Sequence, residues 1–414
     1  MAKIKAFKGV RPAADKIKDV ASPPYDVLNS AEARIQIKGK PYSFLHVVKP
    51  EVDLPENISI YDETVYLKGK ENLDKLIENR ILIQDEKPCF YLYRLIMDNI
   101  DEIGLVAGAS IQDYENDIIK KHEHTRADKE TDRIKHVDTL NANTGPVFLT
   151  YKSRNDMNKL VDELIKEKPV YNFEADDGIK HVFWKIDDED VIKKIENIFE
   201  EIDFLYVADG HHRSASGTIV GQRRRETNPN HTGEEEYNYF LSVIFPHNQL
   251  YIMDYNRIVK DLNNHSKDEF LKLLEKKFIW EIFSTDKPFQ PDRLHNFGMY
   301  LDGNWYKLTT KPDSFPENDP VKSLDVSILQ ENLLTPILGI GDPRKDNRID
   351  FVGGIRGLEE LSKRVDKGEA VAFSMFPTSI EQLMAIADAG KVMPPKSTWF
   401  EPKLRSGVIV HLLD

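Results

Sequence analysis

A chain of 414 residues holds two or three domains' worth of core, and 40% hydrophobic with 31% charged residues excludes a disordered chain. The formal net charge of −13 excludes non-specific nucleic-acid binding as the main task, which needs a dominant cationic field. One cysteine, Cys89, excludes an intrachain disulfide and a cysteine zinc cluster; no signal-like start or apolar run of about 18 residues is present, which predicts a cytoplasmic protein with no membrane partner.

Residues 1–60 read as loop-rich. Ser22-Pro-Pro-Tyr-Asp26 is stiff, because its two prolines fix φ and bias the preceding residue to extended backbone. It serves either as a plain rigid turn or as a wall presenting Tyr25 and Asp26 to a ligand. Ser43–Val48 reads as a short strand. Val65, Leu73, Leu76 and Ile77 have the spacing of a helix over 61–79. Cys89–Met97 and Ile103–Ser110 read as paired strands, with Gly104 and Gly108 marking close approach of other backbone.

Charged and histidine residues dominate 113–136. A solvated helical face is the plain reading, with pairs three or four apart stabilising it modestly. Yet Thr125 with Asp128 three residues later resembles a helix start. Ile134, Val137 and Leu140 then give the following helix a narrow apolar seam. His122, Glu123 and Thr125 fall at the break between two helices, where side chains converge on a ligand. Strands are predicted over 144–151 and 181–186, and helices over 155–168 and 189–201.

Phe204–Ala208 is an apolar run of strand length, followed by Asp209, Gly210, His211, His212 and Arg213, and then a proline-free stretch to Arg225. Strand, one-residue hinge and helix leave several N–H groups pointing at one spot, which the helix dipole makes favourable for an anion. Gly210 supplies positive φ and room for a ligand. Burying so many titratable groups is costly without partners, so the run reads as a phosphate site and not as an ordinary turn.

Farther on, Tyr237–Pro246 and Leu250–Val259 read as a hairpin. A Ser266–Glu269 capping box opens a helix to Phe278, and Asp302-Gly303 marks a hairpin turn. Helices over 326–338, 357–366 and 379–389 alternate with strands over 349–352, 370–376 and 407–413. The proline-stiffened loop 393–405 carries Lys396, Ser397, Thr398, Lys403 and Arg405, groups suited to an anion. The expected class is α/β (mixed α+β), in three regions: 1–150, 151–260 and 261–414.

The run Ala208–Arg213 resembles the phosphate-binding motif of free serine kinases in the ParB/sulfiredoxin-like superfamily. Over nearly its whole length the chain also resembles a bacterial and archaeal domain-of-unknown-function family. That likeness is carried by Pro23-Pro-Tyr-Asp-Val27, His122-Glu123 with Thr125, Asp132-Arg133, the Asp-Gly-His-His-Arg run and Pro394-Pro-Lys-Ser-Thr398. The resemblance implies a ParB/sulfiredoxin-like core over 151–260, with additional mixed sheet and helices around it. It implies phosphorylation of free L-serine to O-phosphoserine, with Mg²⁺ and with pyrophosphate or a nucleotide as donor. By motif match, Asp209 serves the metal or the serine hydroxyl, while Gly210, His211, His212 and Arg213 hold the donor phosphates. The glutamate of the smaller kinases lies outside the shared motif, and Glu123 is the candidate by chemistry. His211 is a further catalytic candidate, Lys396, Ser397 and Thr398 are additional phosphate contacts, and Tyr25, Asp26, His122, Thr125 and Arg133 are candidate substrate contacts.

The chemistry agrees with this reading. Phosphoryl transfer is mostly positioning and charge neutralisation. The chain has neither G-x-x-x-x-G-K-[ST] nor the protein-kinase signatures, which favours a small donor such as pyrophosphate. Three rivals stand beside it: a metal-dependent phosphoesterase with His122, His124, Asp209 and His211 as ligands, a ParB-like nucleotide-binding regulator, which the acidic balance opposes, and a non-catalytic scaffold.

Overall fold

The computed structural model describes all residues, 1–414. The chain is mixed α/β and forms two compact units, Met1–Leu250 with Pro402–Asp414, and Tyr251–Glu401. This differs from the three expected regions. A boundary at 150 would cut a central strand of the first unit, and 260 lies just inside the second. No helix is long and apolar enough to cross a membrane.

The first unit is built on a nine-stranded mixed sheet. Its strands are β1 (Ile4–Lys5), β2 (Phe90–Met97), β3 (Ile100–Ser110), β4 (Ile119–Lys120), β5 (Val147–Tyr151), β6 (Tyr171–Glu174), β7 (Lys180–Ile186), β8 (Leu205–Asp209) and β9 (Tyr239–Pro246). The order is β4-β8-β5-β9-β3-β2-β7-β6, with β1 on β3. The expected pairing of β2 with β3 is present, and Gly104 lies where a side chain would meet Val243 and Phe245 of β9.

One apolar face of this sheet is covered by α3 (Asn155–Leu164) and α4 (Glu189–Glu200), through Met157, Leu160, Ile195, Ile198 and Phe199. Three further helices matter for the site: α1 (Glu63–Glu78), α2 (Ala127–Leu140) and α5 (His211–Thr227). Ile134 and Val137 of α2 pack with Val220 of α5, so the predicted apolar seam is real.

Three expectations fail in this unit. His122, Glu123 and Thr125 do not lie at a break between two helices, because the residues before them pair as the strand β4. Ser43–Val48 is not a strand: Leu45–Val48 is a short helix, whose β-branched residues are buried against α1 residues Leu73 and Leu76. Tyr237–Pro246 and Leu250–Val259 do not form a hairpin. β9 pairs with β3 and β5 in the first unit, and Tyr251 begins the second.

The second unit has a six-stranded antiparallel sheet. Its strands are β10 (Tyr255–Val259), β11 (Phe278–Ser284), β12 (Asn296–Leu301), β13 (Asn304–Thr310), β14 (Ile349–Gly353) and β15 (Val371–Ser374), in the order β11-β13-β12-β15-β10-β14. The Asp302-Gly303 turn joins β12 to β13 with φ of 48° and 76°, the positive pair that a two-residue hairpin turn demands. The Ser266–Glu269 capping box opens a helix over Lys267–Leu274. The predicted helix 326–338 is shorter, Asp325–Leu329, and widens into a π-turn over Gln330–Leu334.

Helix α5 lies close on the sheet because its inner face is small: Ser214, Ala215, Ser216, Gly217, Thr218 and Gly221 are buried. A methyl group on Gly221 would collide with the Tyr237 carbonyl oxygen and come within 2.6 Å of Ile111 Cδ1. Alanine gains about 1 kcal/mol of helix propensity over glycine, but the obstacle is backbone and cannot swing away. Gly221→Val is therefore expected to destabilise the chain by about 1–3 kcal/mol through overpacking. A urea melt with an unchanged midpoint would show that the helix has room to lift.

Candidate phosphate site

The site forms where β8 ends. Opposite β5, the register of β8 slips between Val207 and Asp209, a bulge that re-aims the residues after it. Gly210 follows with φ +90°, and α5 begins at His211. The carbonyl of Gly210 accepts from Arg213 and Ser214 N–H, so the helix is closed from its first turn. The His211 and His212 N–H groups have no acceptor in the chain, as the first residues of a helix require, and they form the positive end of the helix dipole.

Parallel pairing brings in the second motif. β4 runs beside β8 with Leu205 opposite Ile119, so the residues after both strands leave from the same sheet edge. His122 thereby meets His211 edge to face, with ring centroids 4.4 Å apart and planes at 88°. One ring nitrogen of each and a Glu123 carboxylate oxygen lie within 4.8 Å of one another. His122 Nδ1, His211 Nε2 and His212 Nδ1 are buried without a hydrogen-bond partner. Burial holds all three imidazoles below their ordinary proton affinity. The depression is deepest at His122, where His211 adds to it and Asp209 opposes it, and His211 is lowered to about 4.

Cations come from three places in the sequence. Lys403 Nζ donates to Asp209 Oδ2 at 2.8 Å, while Asp209 Oδ1 accepts the Gly210 N–H at 2.8 Å. Burial alone would raise the Asp209 pKa, but Lys403 and Arg213 outweigh it and hold the carboxyl below the usual range. Arg213 donates to the Pro146 carbonyl at 2.9 Å and reaches Asp26 at 3.4 Å. The Tyr25 ring lies between two guanidinium groups, Arg133 at 4.2 Å and Arg213 at 5.2 Å from its centroid. Burial first, then Asp26, pushes the Tyr25 phenol up to about 12. Arg133 is itself held by Asp132 at 2.7 Å, and Asp132 accepts from Tyr66 of α1 at 2.9 Å.

Two clefts open against Arg213. One is lined by Asp26, Pro146, Asp209 and Lys403. The other is lined by Tyr25, Arg133, His136 and Asn143. Of the residues predicted from the sequence, Tyr25, Asp26, His122, Glu123, Arg133 and the whole run 209–213 come together here. Thr125 joins only at the rim, and not as the predicted cap: α2 starts after Arg126 without a side-chain cap, and Thr125 Oγ1 donates to Glu130 at 2.5 Å. Lys396, Ser397 and Thr398 belong to the second unit. There Ser397 Oγ donates to the Pro394 carbonyl, the Ser397 carbonyl accepts from Thr378, and the Lys396 ammonium lies over Tyr255.

Sequence reasoning noted Lys403 as a cation but did not pair it with Asp209, 194 residues away. The Asn143 amide and the Pro146 carbonyl were missed altogether. The only local sign of the latter was the Gly-Pro turn that starts β5.

The chain matches a family model described as protein of unknown function (DUF1015) over residues 4–327, and it belongs to that family. No curated protein matches it. Among solved structures it is similar to a free serine kinase in complex with AMP, at 13% identity and a TM-score of 0.35, covering 74% of this chain and 89% of that one. It is also similar to a conserved hypothetical protein from Pyrococcus furiosus, at 14% identity and a TM-score of 0.32, covering 69% and 87%. SbnI with C-terminal truncation from Staphylococcus aureus matches at 10% identity and a TM-score of 0.36, covering 72% and 84%.

The buried neutral histidines set an acid limit. His211 is lowered to about 4, and His136 and His181 to about 3, from an ordinary 6.5. Between those values the unfolded chain binds more protons than the folded one, so stability falls as pH falls. The urea midpoint is expected to drop between pH 7 and pH 4.5, and His211→Gln should flatten part of that slope. An unchanged slope in His211→Gln would contradict the burial assigned to this ring.

Proposed function

We propose that this member of the DUF1015 family is a phosphotransferase that phosphorylates free L-serine, with pyrophosphate as donor. One observation carries the reading: at a positive-φ glycine, two unpaired helix N–H groups stand beside Arg213, the Lys403–Asp209 pair and imidazoles that each bury one unpaired nitrogen. Such a place offers donors and fixed positive charge to a phosphate and gains little from an uncharged ligand. The likeness of Asp209–Arg213 to the kinase motif supports the same chemistry.

In the proposed reaction the serine hydroxyl oxygen attacks one phosphorus of pyrophosphate. The P–O bond to the bridging oxygen breaks, orthophosphate leaves, and the hydroxyl proton passes to a carboxylate. Asp209 is a poor acceptor, because Lys403 and Arg213 hold it ionised at low pH. Glu123, exposed beside His122 and His211, takes that role. The N–H groups of His211 and His212, with Arg213, hold the donor phosphates. Mg²⁺ prefers oxygen ligands and keeps several waters; the Asp26 and Asp209 carboxylates line one cleft and fit it together with donor oxygens. When bound, the ion neutralises charge on the phosphates.

Purified chain with Mg²⁺, L-serine and a panel of pyrophosphate, ADP, ATP and polyphosphate is expected to form O-phosphoserine with pyrophosphate. Glu123→Gln should lower kcat by roughly 10²- to 10⁴-fold, the usual contribution of a positioned base. Asp209→Asn, which frees Lys403, should weaken donor use without unfolding the chain. Phosphoserine formed from none of the four donors sinks the proposal.

A further inference from the structure

Mg²⁺ does not account for the nitrogen-rich corner of the site. His122 and His211 are 2% and 6% exposed, and each buries a ring nitrogen that has no partner. A buried polar atom normally finds a hydrogen bond, so two orphans on touching rings call for a common explanation. Beside both rings stands the Glu123 carboxylate, with one potential ligand atom from each of the three residues inside 4.8 Å.

We infer that His122, Glu123 and His211 form a binding site for a divalent first-row transition ion, such as Mn²⁺, Co²⁺ or Zn²⁺. Two imidazoles and one carboxylate suit ions of this class and not Mg²⁺, which selects oxygen. With bonds of about 2.1 Å, ligand atoms stand roughly 3–3.5 Å apart, so the three need to close by about an ångström. Glu123 is exposed and can supply most of that movement, whereas the two rings are already held together. The start of α5 disfavours a cation, but Glu123 and the nearby Asp209, whose charge both rings feel, offset it. Three protein ligands leave coordination positions for water or an anion.

Binding of the ion does not depend on the phosphotransfer reading, although it bears on it. Glu123 cannot bind a metal and accept a proton at once, so a tightly held transition ion inhibits serine phosphorylation. The ion and the reaction compete for one carboxylate.

The test starts with binding. Chelator-stripped full-length chain is titrated with Co²⁺ while its visible d–d absorbance is followed, and with Zn²⁺ and Mg²⁺ by calorimetry. One equivalent of Co²⁺ or Zn²⁺ is expected to bind, with Mg²⁺ far weaker. His122→Ala and Glu123→Gln should each weaken Co²⁺ binding by at least the roughly 10- to 100-fold that loss of even an outer metal-site partner costs. Glu123→Gln alters only an exposed side chain, so it remains informative if the buried His122→Ala variant misfolds. Stripped chain that binds Co²⁺ and Zn²⁺ no better than Glu123→Gln overturns the site. Because this readout is spectroscopic, its failure leaves the kinase assay untouched, and failure of the kinase assay leaves it untouched in turn.

Discussion

The site depends on one pairing: two residues of β4 lying parallel to β8 at the edge of the nine-stranded sheet. A parallel pair carries both chains to the same end, so Lys120 and Asp209 release their loops side by side. Antiparallel pairing would send the His122 loop to the opposite end of the sheet. β5, antiparallel to β8, starts at that same end and supplies the Pro146 carbonyl to Arg213. Three segments distant in sequence thus converge at the carboxyl end of β8, where α/β sheets characteristically bind ligands.

What collects there is expensive to fold. His122, His211 and Asp132 are buried, and two guanidinium groups flank one tyrosine ring. Each charged member is compensated in turn: Arg133 by Asp132, Asp132 by Tyr66, Asp209 by Lys403 and Arg213 by the Pro146 carbonyl. The imidazoles are the exception, staying neutral and leaving nitrogens unsatisfied. Unpaired buried nitrogens beside compensated charges are groups that a ligand can satisfy, which supports the proposed binding site.

The legible part of this arrangement was the contiguous part. Strand, positive-φ glycine and helix start lie within ten residues, and each needs only local chemistry to be read from sequence, whereas the bulge depends on the register with β5. The Asp302-Gly303 hairpin and the Ser266 cap were legible for the same reason. Partner choice was not: Tyr237–Val259 alternates as a hairpin would, yet its two halves belong to different units, since a period of two states which face is buried and not which strand lies alongside. Ser43–Val48 shows the other limit. β-branched residues favour a strand only weakly, and burial against α1 makes them a helix. The Lys403–Asp209 pair has no sequence signature, because nothing local records that the last residues of the chain return to the sheet.

On the proposed reading an acidic chain handles an acidic donor, and its net charge has to be reconciled with that task. The overall −13 repels pyrophosphate at long range, but at physiological salt that field is screened within about 8 Å. Inside the clefts the balance is local, set by Arg133, Arg213, Lys403 and the start of α5 against Asp26, Asp132 and Asp209. With the Glu123 carboxylate beside the rings, the cations do not exceed the anions there. Burial keeps the imidazoles of this site neutral, and a bound phosphate raises the proton affinity of the rings around it. On this physics binding of the proposed donor favours proton uptake by the rings. A strongly cationic pocket would need no such change and would also retain the orthophosphate product more tightly. Near-neutrality at rest therefore suits the proposed reaction, which releases one orthophosphate after each transfer.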